Sequence, residues 1–123
     1  MRLKSIRNDY LAAKNDGKVI STTRKSLKKV LWEVHEVPDT FNEIKLKNVA
    51  TGSWLTKDKD SNDVFASSFK GSFSIWEIRG RLENNQQILL KSSKGEYLHR
   101  CGNIWCDVTT WHSGQGNAWT IKL

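Results

Sequence analysis

Short stretches in which apolar and polar side chains alternate run along the whole chain. Glu43-Ile44-Lys45-Leu46-Lys47 and Gln87-Ile88-Leu89-Leu90-Lys91 are typical, bounded by Gly, Asn, Asp or Ser, and they predict strands with one buried face. Stripes at helical spacing are scarce. Asn15-Asp16-Gly17, Thr51-Gly52-Ser53 and Lys94-Gly95-Glu96 each set a turn former beside a predicted strand. Pro38 falls in a connection, where no strand needs its missing amide hydrogen. Ser21 to Leu31 departs from the alternation: its Arg24, Lys25, Lys28 and Lys29 fit one side of a helical turn, and the segment is read as a basic loop.

The alternation repeats as a unit. Leu3-Lys4-Ser5, Tyr10-Leu11 and Trp32-Glu33-Val34 return as Leu46-Lys47-Asn48, Trp54-Leu55 and Trp76-Glu77-Ile78, and again as Leu90-Lys91-Ser92, Tyr97-Leu98 and Trp119-Thr120-Ile121. The two aromatic residues of each unit are 22 positions apart in all three, at 10 and 32, 54 and 76, 97 and 119. With 123 residues the chain is expected to be a single domain, 1–123, with repeats at approximately 1–41, 42–84 and 85–123. Each unit has room for four short strands. A propeller has such blades but needs at least four of them to close, so three units predict an all-β protein with the β-trefoil fold. Leu3/Leu46/Leu90, Leu11/Leu55/Leu98 and Trp32/Trp76/Trp119 are its expected threefold core.

The unit Leu3 to Ser5, Tyr10-Leu11-Ala12-Ala13 and Trp32-Glu33-Val34 resembles the repeat of fascin and its actin cross-linking relatives. The third unit, with Lys91, Gly95, Tyr97-Leu98, Gly102-Asn103, Trp105 and Val108-Thr109, is similar to a plant family of fascin-like trefoil domains whose function is poorly defined. The resemblance covers nearly the whole chain. It implies a non-enzymatic, actin-associated binding module. Fascin joins four trefoils to bridge filaments, so one trefoil has at most part of that surface.

Composition changes the picture in two ways. Twenty Lys and Arg against thirteen Asp and Glu give a net charge of +7, which favours an acidic partner. No apolar run approaches the roughly 20 residues of a membrane-spanning helix, and Met1-Arg2-Leu3-Lys4 opens without the apolar region of a secretory signal. Cys101 and Cys106 are too few for a disulfide-built extracellular scaffold, so the expected setting is reducing and cytoplasmic, and the expected state a monomer.

Catalytic signals are weak. His35, His99 and His112 are the only histidines, and no Gly-x-Ser-x-Gly nucleophile turn occurs. Cys101 and Cys106 with His99 and His112 match no zinc-finger spacing, and two cysteines facing each other across the turn at Gly102-Asn103, or filling small apolar space, explain them better. Asp58, Asp60 and Asp63 read as a solvated loop, since the Gly and distal Glu of a calcium loop are missing. Gly114-Gln115-Gly116 lacks the residues of a phosphate cradle. No cofactor, metal or catalytic residue is expected.

Binding signals are stronger. Arg24, Lys25, Lys28 and Lys29 concentrate charge suited to an acidic protein, a phosphate or a sulfated glycan, against the plain alternative of a solvated turn. The repeat leaves Trp105 and Trp111 over; with His99, Asn103 and His112 they would suit a sugar or small-ligand pocket in the third unit, unless the rings cap the open end of the barrel. The Gln-x-Trp mark of ricin-type lectins is absent, the triplets being Val30-Leu31-Trp32, Ser74-Ile75-Trp76 and Asn117-Ala118-Trp119. Nucleic acid would call for aromatic residues among the basic ones, and the run at 24–29 has none. The expected function is therefore docking of the basic loop on an acidic protein such as actin, with a lectin-like site at His99, Asn103, Trp105, Trp111 and His112 as the alternative.

Overall fold

The computed structural model describes residues 1–69, 71–102 and 105–123. Among these residues the strands fall into three groups of four. The first is β1 (Arg2–Ser5), β2 (Tyr10–Ala13), β3 (Val19–Thr22) and β4 (Trp32–Glu36). The second is β5 (Glu43–Asn48), β6 (Trp54–Lys57), β7 (Val64–Ser67) and β8 (Trp76–Arg79). The third is β9 (Gln87–Lys91), β10 (Tyr97–Arg100), β11 (Val108–Trp111) and β12 (Trp119–Lys122). The fold is an all-β trefoil.

The first and last strands of each unit build the barrel: β1 pairs with β12, β12 with β9, β9 with β8, β8 with β5 and β5 with β4, all antiparallel. Two backbone hydrogen bonds close the ring, Trp32 N–H to Met1 O at 2.9 Å and Met1 N to Trp32 O at 3.0 Å. Met1 thus takes the place that Ile44 holds opposite Trp76 and Ile88 opposite Trp119. Closing the sheet on itself removes the free edges that would otherwise template aggregation. Hairpins β2–β3, β6–β7 and β10–β11 cover one end and touch through the bridges Lys18 to Phe65 and Asp63 to Thr109.

Leucines and tryptophans at equivalent positions form one buried cluster: Leu3, Leu46 and Leu90; Leu11, Leu55 and Leu98; Trp32, Trp76 and Trp119. An indole N–H buried in such a core needs an acceptor. Trp32 donates to Leu11 O at 3.0 Å, Trp76 to Leu55 O at 3.0 Å and Trp119 to Leu98 O at 3.1 Å. The fixed 22-residue spacing therefore has a physical cause, because each indole reaches the carbonyl just after its unit's first aromatic residue.

One element differs from expectation. The basic segment is not loop throughout: Lys28–Val30 form a 3-10 turn, matched by Ser72–Ser74 and Gln115–Asn117, each ending two residues before a core tryptophan. One i→i+3 turn lets the chain swing from the outer hairpin back to the barrel. Two glycines are dictated by space. Gly17 has φ +89°, and a Cβ there would sit 3.1 Å from Ala66 O; at Gly116 a Cβ would lie 2.2 Å from Arg100 O, so no side chain fits.

Candidate functional site

The loop from β3 to β4 carries the basic run on the surface. Arg24, Lys25 and Lys28 are exposed and Lys29 is half-buried. Arg24, Lys28 and Lys29 line an open depression of about 630 Å³ together with Ala13, Lys14, Asn15, Asp16, Leu27 and Ala50; Lys25 does not line it. Among the described residues none of Lys14, Arg24, Lys25, Lys28 and Lys29 is ion-paired with a carboxylate. Their charge faces solvent, where it can steer and hold an acidic surface.

The third unit holds a second depression, about 300 Å³, lined by His99, Cys101, Gly102, Cys106, Thr109 and Trp111. His99 and Trp111 are thus brought together. His99 Nδ1 lies 2.7 Å from Asn117 Oδ1, an acceptor, so Nδ1 donates to it and Nε2 is the ring nitrogen left for other contacts. His112 is exposed and tilts against Trp111 with ring centroids 5.0 Å apart. Trp105 is 90% exposed and Trp111 44%, so neither ring caps the barrel. Trp105 does not line this depression, and Asn103 lies outside the described residues. Cys101 and Cys106 are joined in a disulfide, with Cα atoms 5.5 Å apart, so they face each other across the turn.

Among the described residues no three His, Cys, Asp or Glu side chains are placed to hold a metal ion together. Asp58 accepts hydrogen bonds from Asp60 N–H at 3.2 Å and Ser61 Oγ–H at 2.9 Å, shaping its own loop. The carbonyls of Asp58 and Ser61 turn to the ammonium of Lys57, whose side chain is only 4% exposed.

Sequence reasoning missed two partly buried ion pairs that tie the units together. Arg100, at the end of β10, lays its guanidinium on Asp9 of the β1–β2 turn, with Nε 3.1 and 3.2 Å and Nη2 2.8 Å from the carboxylate oxygens. Its Nη1 donates to Cys101 O at 2.9 Å and Asp107 O at 3.2 Å, and Asp107 in turn accepts Ser21 N–H at 2.7 Å. Burial alone would raise the Asp9 carboxyl; hydrogen bonds from Arg100 and Ser5, with the guanidinium charge, outweigh it and hold the pKa below the ordinary carboxylate value. The same hydrogen bond raises Arg100. Lys57, at the end of β6, lies 3.6 Å from Glu96 of the β9–β10 turn. Nothing local in the sequence marks these pairs.

A family model described as "Beta-trefoil domain of unknown function (DUF569)" matches residues 1–104. The chain belongs to this family. The DUF569 description gives the fold and no activity, in keeping with the threefold pattern. A search of the curated proteins finds no match. Among solved structures, the SDF2-like protein from Arabidopsis thaliana superposes with a TM-score of 0.83 at 14% identity, covering 99% of this chain and 93% of that one. ThreeFoil, a designed 3-fold symmetric protein, gives 0.81 at 19% identity over 99% and 97%. A Caenorhabditis elegans protein of unknown function gives 0.77 at 15% over 97% and 90%. At these identities the likeness of the DUF569 chain to its neighbours is one of fold, and a trefoil hosts many functions.

Proposed function

We propose that the protein is a non-enzymatic binding module that docks the surface around Arg24, Lys25, Lys28 and Lys29 on an acidic protein. Actin is the partner that the resemblance to fascin-like repeats suggests. One observation carries the reading: a cluster of cations without ion-paired carboxylates borders an open depression, in a chain of net charge +7. Charges left unpaired at a surface add little to folding, and their use is in encounter and register with a partner. Replacing all four with Glu should abolish co-sedimentation with actin filaments while the protein stays folded; undiminished pelleting would move the site elsewhere.

A second reading draws on the third unit. His99 and Trp111 line one depression of about 300 Å³, which brings an indole and an imidazole to the same surface. That pairing suits a sugar or small ligand. Trp111→Ala should then remove binding on a glycan array at unchanged stability, and a retained signal would end this reading.

A further inference from the structure

The pseudo-threefold axis permits a comparison of the three seams between units. Three backbone hydrogen bonds make Asp9, Ser53 and Glu96 equivalent, since each offers its carbonyl to the residue that ends the preceding strand or turn: Ser5 N–H at 2.7 Å, Asn48 N–H at 2.8 Å and Ser92 N–H at 2.7 Å. Three others fix the start of each hairpin loop: Lys14 to Lys18, Asp58 to Asp63 and Cys101 to Asp107, at 2.9, 2.8 and 2.9 Å. The residues just before them, Ala13, Lys57 and Arg100, are therefore equivalent too, and they pair with Val19, Val64 and Val108 respectively.

Two seams are filled on this plan. Arg100 of the third unit meets Asp9 of the first, and Lys57 of the second meets Glu96 of the third. The remaining seam, between the first and second units, has buried Ala13 and Ala50, of the turn that runs on to Ser53, lining one depression. At the two equivalent positions it has Ala13 in place of the cation and Ser53 in place of the carboxylate. Here lies the depression of about 630 Å³, with Ala13, Leu27 and Ala50 as apolar lining and Lys14, Arg24, Lys28 and Lys29 about it. Its size falls within the roughly 300–1,000 Å³ of ligand clefts. Asp16 is the one carboxylate in the lining, and its pKa is lowered first by the hydrogen bond from Lys18 N–H and further by the charge of Lys14.

We propose that this seam is the docking cleft for an acidic peptide segment of the partner, whose carboxylates supply the charge that the second unit lacks. The proposal rests on the docking function above and locates it. An Asp or Glu side chain fits the mixture of apolar lining and separated cations, since its methylenes pack on Leu27 and Ala50 while its carboxylate meets a lysine. Free phosphate fits less well. Only one arginine is present to offer a bidentate fork, and the apolar lining gives phosphate nothing to touch.

Binding of fluorescein-labelled hexaglutamate, followed by anisotropy, tests the cleft. Ala13→Lys with Ser53→Glu copies the Lys57–Glu96 seam at unchanged net charge, and it should weaken the peptide at least tenfold while melting no lower than wild type. Should that variant not fold, Lys14→Gln with Lys28→Gln carries the test, with an expected loss of about tenfold. Lys59→Gln with Arg81→Gln, equal in charge removed but exposed and outside the cleft, should change affinity less than threefold. Competition by inorganic phosphate should need far higher concentration than unlabelled peptide. Equal loss from the two glutamine pairs, undiminished binding by folded Ala13→Lys/Ser53→Glu, phosphate competing as well as peptide, or no peptide binding by wild type would each overturn the cleft. Filament pelleting judges the broader reading separately: charge-sensitive pelleting that ignores the filled seam keeps the acidic partner and removes this site.

Discussion

Arg100→Met is the change whose cost the structure determines most directly. The guanidinium makes three hydrogen bonds to Asp9 and two to backbone carbonyls, with both side chains largely buried, 13% exposed for Arg100 and 11% for Asp9. Methionine keeps the stem's apolar packing and leaves Asp9 as a largely buried carboxylate supported only by hydrogen bonds from the hydroxyls of Ser5 and Ser21. Removing one partner of a buried pair costs about 3–5 kcal/mol, most of it the penalty on the charge left behind. Partial access to water puts the expectation at the lower end, about 3 kcal/mol, or roughly 10 °C in melting temperature for a domain of this size. Asp9→Asn combined with Arg100→Met should recover part of the loss, giving a favourable coupling in a double-mutant cycle. The pH dependence follows from the sign of the shift. In wild type the folded Asp9 pKa is depressed, so its contribution is present above the unfolded carboxylate value and is lost as pH falls through the folded one. In Arg100→Met burial raises that pKa instead, so the mutant gains relative to wild type on acidification and the gap narrows. Urea denaturation at a series of pH values measures both effects. A loss below about 1 kcal/mol near neutral pH, or a gap that widens in acid, would refute the reasoning.

Trp76→Ala should cost about 3–5 kcal/mol, because the indole is fully buried and its N–H is bonded to Leu55 O, and thermal unfolding checks it; a loss below about 1 would argue against the threefold core. Reducing Cys101–Cys106, which closes a loop of sequence separation 5, should lower stability by about 2 kcal/mol, read as a shift of the urea midpoint on adding dithiothreitol. Trp105→Ala, at a side chain 90% exposed, should change stability by less than about 0.5 kcal/mol, and a larger loss would place that ring in the fold's packing.

The fold was legible because its determinants repeat in the sequence. Leu11, Leu55 and Leu98 with Trp32, Trp76 and Trp119 recur at one spacing, and the hydrogen bond from each indole to a leucine carbonyl explains why the spacing tolerates no slip. The 3-10 turns were not legible, since Lys-Lys-Val, Ser-Phe-Ser and Gln-Gly-Asn share geometry without sharing chemistry. Seam ion pairs escaped for a related reason: Arg100 and Asp9 are 91 residues apart, and Ala13, Lys57 and Arg100 occupy one structural position with unlike side chains.

The candidate site divides the same way. Arg24, Lys28 and Lys29 could be seen because they are neighbours in the chain, whereas Lys14 and Ala50 lie in the turns after β2 and β5 and join them only through the fold. In the third unit, closeness in sequence was a poorer guide. Of the residues grouped there, His99 and Trp111 share a depression, His112 touches it through Trp111, and Trp105 stands out in solvent on the loop between the cysteines.

The central claim is that this trefoil binds an acidic protein through the cations around its vacant seam. Co-sedimentation with actin filaments at low and at physiological salt, wild type beside the variant with Arg24, Lys25, Lys28 and Lys29 changed to Glu, tests it most directly. The account predicts that wild type pellets at low salt, less so at physiological salt as screening shortens the reach of exposed charges to about 8 Å, and that the variant pellets at neither. Wild type left in the supernatant at both salts, or pelleting that the variant reproduces, would contradict it.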